Sequence, residues 1–118
     1  MRNRKVVLMV KIKDVIESLD LEVVVAGDTE KEIQGCYIGD LLSNVMARAK
    51  EGNIWITIQG HQNVTAVALL TGVSAVILVE KFEYEESAVK RAEEKSITLL
   101  KTPLTAFKVA EELTKMGI

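Results

Sequence analysis

The chain has 118 residues, enough for one domain and one core. Apolar residues make up 48% and aromatic residues only 4%, so the core must be aliphatic, and a net charge of -2 argues against a nucleic-acid partner, which calls for a basic face. Cys36 is the only cysteine, which leaves no internal disulfide and fits a reducing cytoplasm; the longest apolar runs, such as 75–79, fall far below the roughly 18 residues that span a bilayer, so no membrane partner is expected.

The basic start and short apolar run of residues 1–10 lack a signal-peptide core and a small-residue cleavage site. They read as a strand or as an extension ahead of the domain proper, and a short extended segment is the favoured reading. Ile12, Val15, Ile16 and Leu19 recur at helical spacing, predicting a small amphipathic helix over 12–19. Residues 21–27 predict a strand, 28–32 an exposed turn, and 33–38 a weaker strand in which Gly35 marks a bulge or a close approach. Cys36 is expected to be a small buried side chain there.

Gly39 and Asp40 open the next helix, with Asp40 as its N-cap. Leu41, Leu42, Val45, Met46 and Ala49 form its expected buried stripe, and Lys50 sits near its C-terminus, where a cation is favoured. From there the chain falls into a rhythm. Strands begin near Ile54, Ala75 and Ile97, and helices follow over 62–70, 85–95 and 104–116. The runs IWITI (54–58) and AVILV (75–79) are apolar throughout, as in strands buried on both faces. Trp55 is then either core or a sheet face used in association. Gly72 stops the helix between those strands. In the later helices Ala88, Val89 and Ala92, then Phe107, Val109, Ala110 and Leu113, are expected to face inward, with Pro103 in the last helix's first turn. Consecutive βα units define the fold class: a single α/β domain over 1–118, with a mostly parallel sheet, βαβ crossovers and flanking helices.

In such a sheet, ligands bind beyond the carboxyl ends of the strands. That rule selects the loops 60–63, 80–82 and 101–103. In the first, Gly60 lets a ligand approach the backbone, while His61, Gln62 and Asn63 offer polar groups at a helix N-terminus. The simpler reading makes Gln62 or Asn63 a helix cap and His61 a solvated loop residue. Glu80 and Lys81 from the adjacent strand end are expected to join His61, Gln62 and Asn63 around one pocket, because parallel neighbours lie about 4.8 Å apart. Lys81 and Lys101 suit a phosphate but are equally at home in solvent. Asp40 is a further ligand candidate beside its cap role. The run EKFEYEE (80–86) reads as a solvated acidic turn.

No phosphate-binding glycine loop is present, and no paired His or Cys spacing suits a metal. A nucleophile built from Cys36 and His61, each the only one of its type, would need the two in contact. No catalytic constellation, cofactor or metal is therefore expected; an enzyme using His61 as a lone base is the weakest reading.

Three stretches resemble the DRTGG domain family and the related amino-terminal domain of HPr kinase/phosphorylase: KIKDVIESLDLEVVVAG (11–27), GCYIGDLLSNVMARAKEGNIWITIQGHQNVTAVALLTGVSAVILVEK (35–81) and SITLLKTPLTAFKVAEEL (96–113). The resemblance runs from about Ile12 to the C-terminus. It implies an α/β domain of regulatory or oligomerising role, commonly appended to modules such as CBS-pair pyrophosphatases or phosphotransacetylases. It carries no kinase activity, since the nucleotide loop belongs to a separate domain. The name-giving signature is not kept. His61-Gln62 stand where the family has Asp-Arg, and Val79, Glu80 and Lys81 where it has Thr-Gly-Gly. If those residues bind a ligand in other members, this chain binds a different one or none.

The expectation is a stand-alone regulatory or ligand-sensing domain that takes a nucleotide or other phosphorylated small molecule and acts on a protein partner. The alternative is a pure dimerisation or adapter domain without a ligand. A homodimer is expected in either case, because both faces of an apolar sheet need cover and the helices are short.

Overall fold

The computed structural model describes residues 9–118. The extended segment expected over 1–10 therefore lies almost wholly outside the described residues. Five helices and five strands follow in the order α1 (Ile12–Leu19), β1 (Glu22–Val25), β2 (Cys36–Ile38), α2 (Leu42–Arg48), β3 (Ile54–Thr57), α3 (Val64–Thr71), β4 (Ala75–Leu78), α4 (Glu86–Lys95), β5 (Leu99–Lys101) and α5 (Ala106–Lys115).

The sheet order is β1-β5-β4-β3-β2. Strands β2 to β5 are parallel, and β1 runs antiparallel to β5 with a bulge between Val23 and Val25. Each step from β2 to β5 moves one strand over through a helix. Crossovers of one hand then place α2, α3 and α4 on the same face. The apolar contacts agree: Val45, Val64, Val67, Ala68 and Ala92 pack with Trp55, Val76 and Leu99. On the other face α1 and α5 bring Ile12, Val15, Leu19, Val109 and Leu113 onto Ile54, Ile56, Ile77 and Leu100. Every residue of β3 and β4 is buried, as a strand covered on both sides requires. Trp55 is core, fully buried, with its indole N–H donating to the Gly39 carbonyl at 2.8 Å.

Several local expectations are corrected by tertiary contacts. Asp40 does not cap α2. The helix starts one turn position later with Leu41 at its N-cap, and the Asp40 Oδ1 instead accepts from Thr57 Oγ1 (2.8 Å) and from the Ile58 N–H (2.9 Å). Of the stripe expected on α2 only Val45 is buried, and Leu41 and Met46 are exposed. Arg48, not Lys50, supplies the cation in the last turn of α2. On α5, Phe107 is 81% exposed rather than inward, while Val109 and Leu113 are buried. Pro103 precedes α5 instead of entering it; Thr105 is the N-cap and accepts from the Lys108 N–H at 3.2 Å. Cys36 is exposed on the edge strand, not buried. Its sulfur is nonetheless partly desolvated, which pushes the thiol up to about 11.

Residues 80–86 are not a solvated acidic turn throughout. Tyr84 turns inward, its hydroxyl donating to the Leu100 carbonyl at 2.8 Å, and burial holds the phenol well above its usual range.

Candidate functional site at the carboxyl ends of the strands

The carboxyl ends of β2 to β5 lie at one end of the sheet, and the reversed β1 brings its beginning to that same end. The three loops selected from the sequence therefore share an end with Asp20 and Glu22. A cleft of about 430 Å³ opens there, lined by Asp20, Glu22, Lys81, Glu83, Lys101, Thr102 and Pro103. A larger groove of about 620 Å³ lies at the opposite, amino end, lined mainly by Lys11, Glu30, Glu32, Glu51 and Ser74. Parallel sheets place their chemistry at the carboxyl end, so the smaller cleft is the candidate site.

Two lysines supply its positive charge, against the carboxylates of Asp20, Glu22 and Glu83. Lys101, at the end of β5, keeps only 16% of its side chain exposed and pairs with the Glu83 carboxylate, which is 75% exposed. Lys81 approaches from the loop after β4. Its backbone is held with that of Glu80 against the β5–α5 loop: the Glu80 N–H donates to the Leu104 carbonyl (2.9 Å) and the Lys81 N–H to the Thr102 carbonyl (3.4 Å). Both residues are left-handed, with φ of 61° and 66°. In the resemblance read from the sequence these two positions correspond to the glycines of the family signature, and glycine adopts this conformation without a Cβ penalty.

The loop after β3 is built differently from the expectation. A Cβ at Gly60 would lie 2.0 Å from the Glu83 carbonyl oxygen, and the Glu85 N–H donates to the Gly60 carbonyl at 2.8 Å. What approaches the Gly60 backbone is thus the chain at 83–85. The turn that leads into α3 is held from two directions. His61 Nδ1 accepts from the Asn63 N–H (3.0 Å), and Glu85 Oε1 accepts from the Gln62 N–H (3.1 Å). The side chain of Asn63, although at the N-cap position, makes no cap bond, and the Gln62 amide oxygen accepts from Ser87 Oγ at 3.3 Å. The expected side-chain cap on α3 is therefore not formed; His61 and Glu85 instead hold the two residues that precede the helix.

Of the residues singled out from the sequence, Lys81 and Lys101 line the cleft, with Thr102 and Pro103 of the selected loop 101–103. Gly60, His61, Gln62 and Asn63 share its end of the sheet but are latched to the 83–85 segment, which also carries Glu83 into the cleft. Glu80 lies beside Lys81 with its backbone engaged, and Asp40 is committed to the end of β3. Asp20, Glu22 and Thr102 carry no motif. Only knowledge that β1 is antiparallel to β5 could have brought the first two to this end. Cys36 begins β2 at the amino end of the sheet while His61 follows the carboxyl end of β3, so the two are kept apart by the length of a strand. Among the described residues no group of His, Cys, Asp and Glu is placed to hold a metal, and no helix is long and apolar enough to cross a membrane.

The DRTGG domain profile matches residues 14–116, and the chain belongs to that family. No curated protein matches it. Among solved structures it is similar to the CBS and DRTGG domains of the regulatory region of Clostridium perfringens pyrophosphatase, a structure in complex with the activator diadenosine tetraphosphate. The TM-score is 0.70 at 17% identity, which speaks for the fold. The match covers 86% of this chain and 44% of that one, so the present domain corresponds to less than half of the pyrophosphatase region. The resemblance read from the sequence and the α/β class both stand.

Proposed function

We propose that this domain is a non-catalytic regulatory module of the cytoplasm that senses a phosphorylated small molecule, with nucleotides the first class to test, and acts through a protein partner. The observation that carries the reading is Lys101: a lysine at the carboxyl end of β5 with a largely buried side chain, whose one ion-pair partner among the described residues is the exposed Glu83. A phosphate entering the cleft would take over the place of that carboxylate and release it to solvent, which moves the 83–85 segment and the α3 start latched to it. Membership of a family with a regulatory relative, and that relative's complex with a dinucleotide activator, support the choice of ligand class. The test is a thermal-shift panel of AMP, ATP and diadenosine tetraphosphate. A binder at 100 times its Kd adds about 2.7 kcal/mol to stability. The shift should vanish in Lys101→Ala and persist in Lys108→Ala, a change on the outer surface of α5. A flat panel overturns the ligand.

A second reading, association without a ligand, is favoured by two observations. Three carboxylates, Asp20, Glu22 and Glu83, share the cleft with two lysines, an unfavourable balance for an anion. Moreover α2 and α3, which pack on each other, expose Leu41 and Met46, and Leu69 and Leu70. A symmetric homodimer through these helices would cover them, burying about 1,600 Å² in total if of standard size. Light scattering during chromatography tests it: a mass of twice 13.0 kDa supports the dimer, and Leu70→Glu should return it to 13.0 kDa.

A further inference from the structure

The cleft carries more negative charge than a site for a plain anion should, and two of its carboxylates arrive together through β1. We propose that its phosphorylated ligand also bears an ammonium group, the phosphate resting on Lys101 and Lys81 and the ammonium on Asp20 and Glu22. This rests on the reading of the cleft as a phosphate site and narrows the ligand to a small amino-phosphate.

The charges are arranged in a way that a phosphate alone does not use. Glu22 and Lys101 are directly opposed in the antiparallel pairing of β1 with β5. Opposed residues share a sheet face, with their Cβ atoms about 5 Å apart. Lys101 therefore has two carboxylates in reach. Its ammonium pairs with Glu83, from the loop, and not with its cross-strand neighbour. Asp20 lies two residues before Glu22, at the C-cap of α1, and lines the same cleft. Among the described residues, Asp20, Glu22 and Lys81 take part in no ion pair. The lining thus holds one satisfied pair, Lys101 with Glu83, and three charges without a partner.

Once a phosphate displaces Glu83, two ammonium groups and two carboxylates face the ligand. A plain anion is attracted by the first two and repelled by the second two. Because Glu22 stands beside Lys101, the two effects act over similar distances and largely cancel. A ligand with an ammonium two carbons from its phosphate oxygen presents the matching charge to each. The cross-strand spacing of about 5 Å is comparable with the span of such a molecule. The cleft volume of about 430 Å³ lies in the range of small-ligand sites. Asp20 and Glu22 then act as a filter that rejects plain anions of the same size by repulsion. The surplus of carboxylates that disfavours a bare phosphate is what selects the amino-phosphate.

Calorimetric titration of the full chain with O-phosphoethanolamine and with ethyl phosphate tests the proposal, because the two probes differ only by the ammonium. Phosphoethanolamine should bind at least about tenfold more tightly, the worth of one charge-assisted hydrogen bond. In the double variant Asp20→Asn/Glu22→Gln the preference should fall to within about threefold, with ethyl phosphate bound no more weakly than before. Both substitutions conserve volume, and asparagine accepts the left-handed backbone of residue 20, so the fold should survive, which thermal unfolding checks. No binding of phosphoethanolamine, equal affinity of the two probes for the native chain, or an unchanged preference in the double variant would each overturn the proposal. The phosphate reading survives those outcomes where AMP or ATP still binds, and falls with the proposal only if the nucleotide panel is flat as well.

Discussion

The Cβ that any residue other than glycine would place at position 60 falls 2.0 Å from the carbonyl oxygen of Glu83. No side chain can give way there, because the obstacle is backbone. Gly60→Ala must push the 83–85 segment off the end of β3 and break the Glu85-to-Gly60 hydrogen bond. We expect a loss of about 2–3 kcal/mol in urea unfolding, in the range of overpacking. A loss under about 0.5 kcal/mol would mean that the two loops are not latched.

Glu80 and Lys81 predict the opposite sign. Both hold left-handed backbone at an apparent cost of about 1 kcal/mol each for a residue with a Cβ. Glu80→Gly should stabilise the fold, by somewhat less than that cost, since glycine also gains entropy when unfolded. Lys81→Gly should do likewise while removing a cation from the cleft, so stability and any ligand affinity should move in opposite directions. Chemical denaturation of both variants checks the sign.

For Asp40 the test separates a cap from a tie between loops. Its Oδ1 receives two hydrogen bonds from the end of β3 and none from α2. Asp40→Ala should cost about 2 kcal/mol through two unsatisfied donors. Asp40→Asn keeps an acceptor oxygen and should cost less than half of that. If the helix content of α2 fell while exchange at Ile58 stayed unchanged, the tie would be refuted.

Cys36 should be slow towards thiol reagents despite its exposure. Its pKa of about 11 lies above the ordinary thiol value, so the reactive thiolate is a small minority at neutral pH and becomes dominant only above pH 11. The labelling rate should climb about tenfold per pH unit between 7 and 10 without levelling off. A plateau near pH 8.5 would show an unperturbed thiol.

How much of this was legible in the sequence depends on the range of the interaction that decides each position. Helix α1 reads directly, because its apolar spacing is local and its bounds, Ile12 to Leu19, coincide with the pattern. The fully buried β3 and β4 read equally well from unbroken apolar runs. Phe107 was legible in principle: it and Val109 stand two residues apart, about 200° around a helix, so only one can face the core. Asp40 and Tyr84 were not. An aspartate before a helical pattern has the local signature of a cap, and nothing near it announces that Thr57 will sit 17 positions away in sequence and win the carboxylate. Tyr84 lies in an acidic run and is drawn inward by the carbonyl of Leu100, 16 positions on. The cleft was half legible, because the carboxyl-end rule needs only the parallel strands, whereas Asp20 and Glu22 arrive through a strand whose direction no local signal fixes.

Trp55 has a consequence for how the molecule can be watched. It is the only tryptophan, sealed between the sheet and the α2–α4 layer, and its single polar atom is held by the carbonyl next to Asp40. Tryptophan fluorescence, excited selectively at the red edge of the absorption band, therefore has one emitter in a dry site, wired to the bend that joins β2 to α2. Its colour reports whether that layer is closed, and a quencher dissolved in water reaches it only when the layer opens. Each unfolding, ligand and association experiment above thus has an optical signal already built into the chain, without a dye.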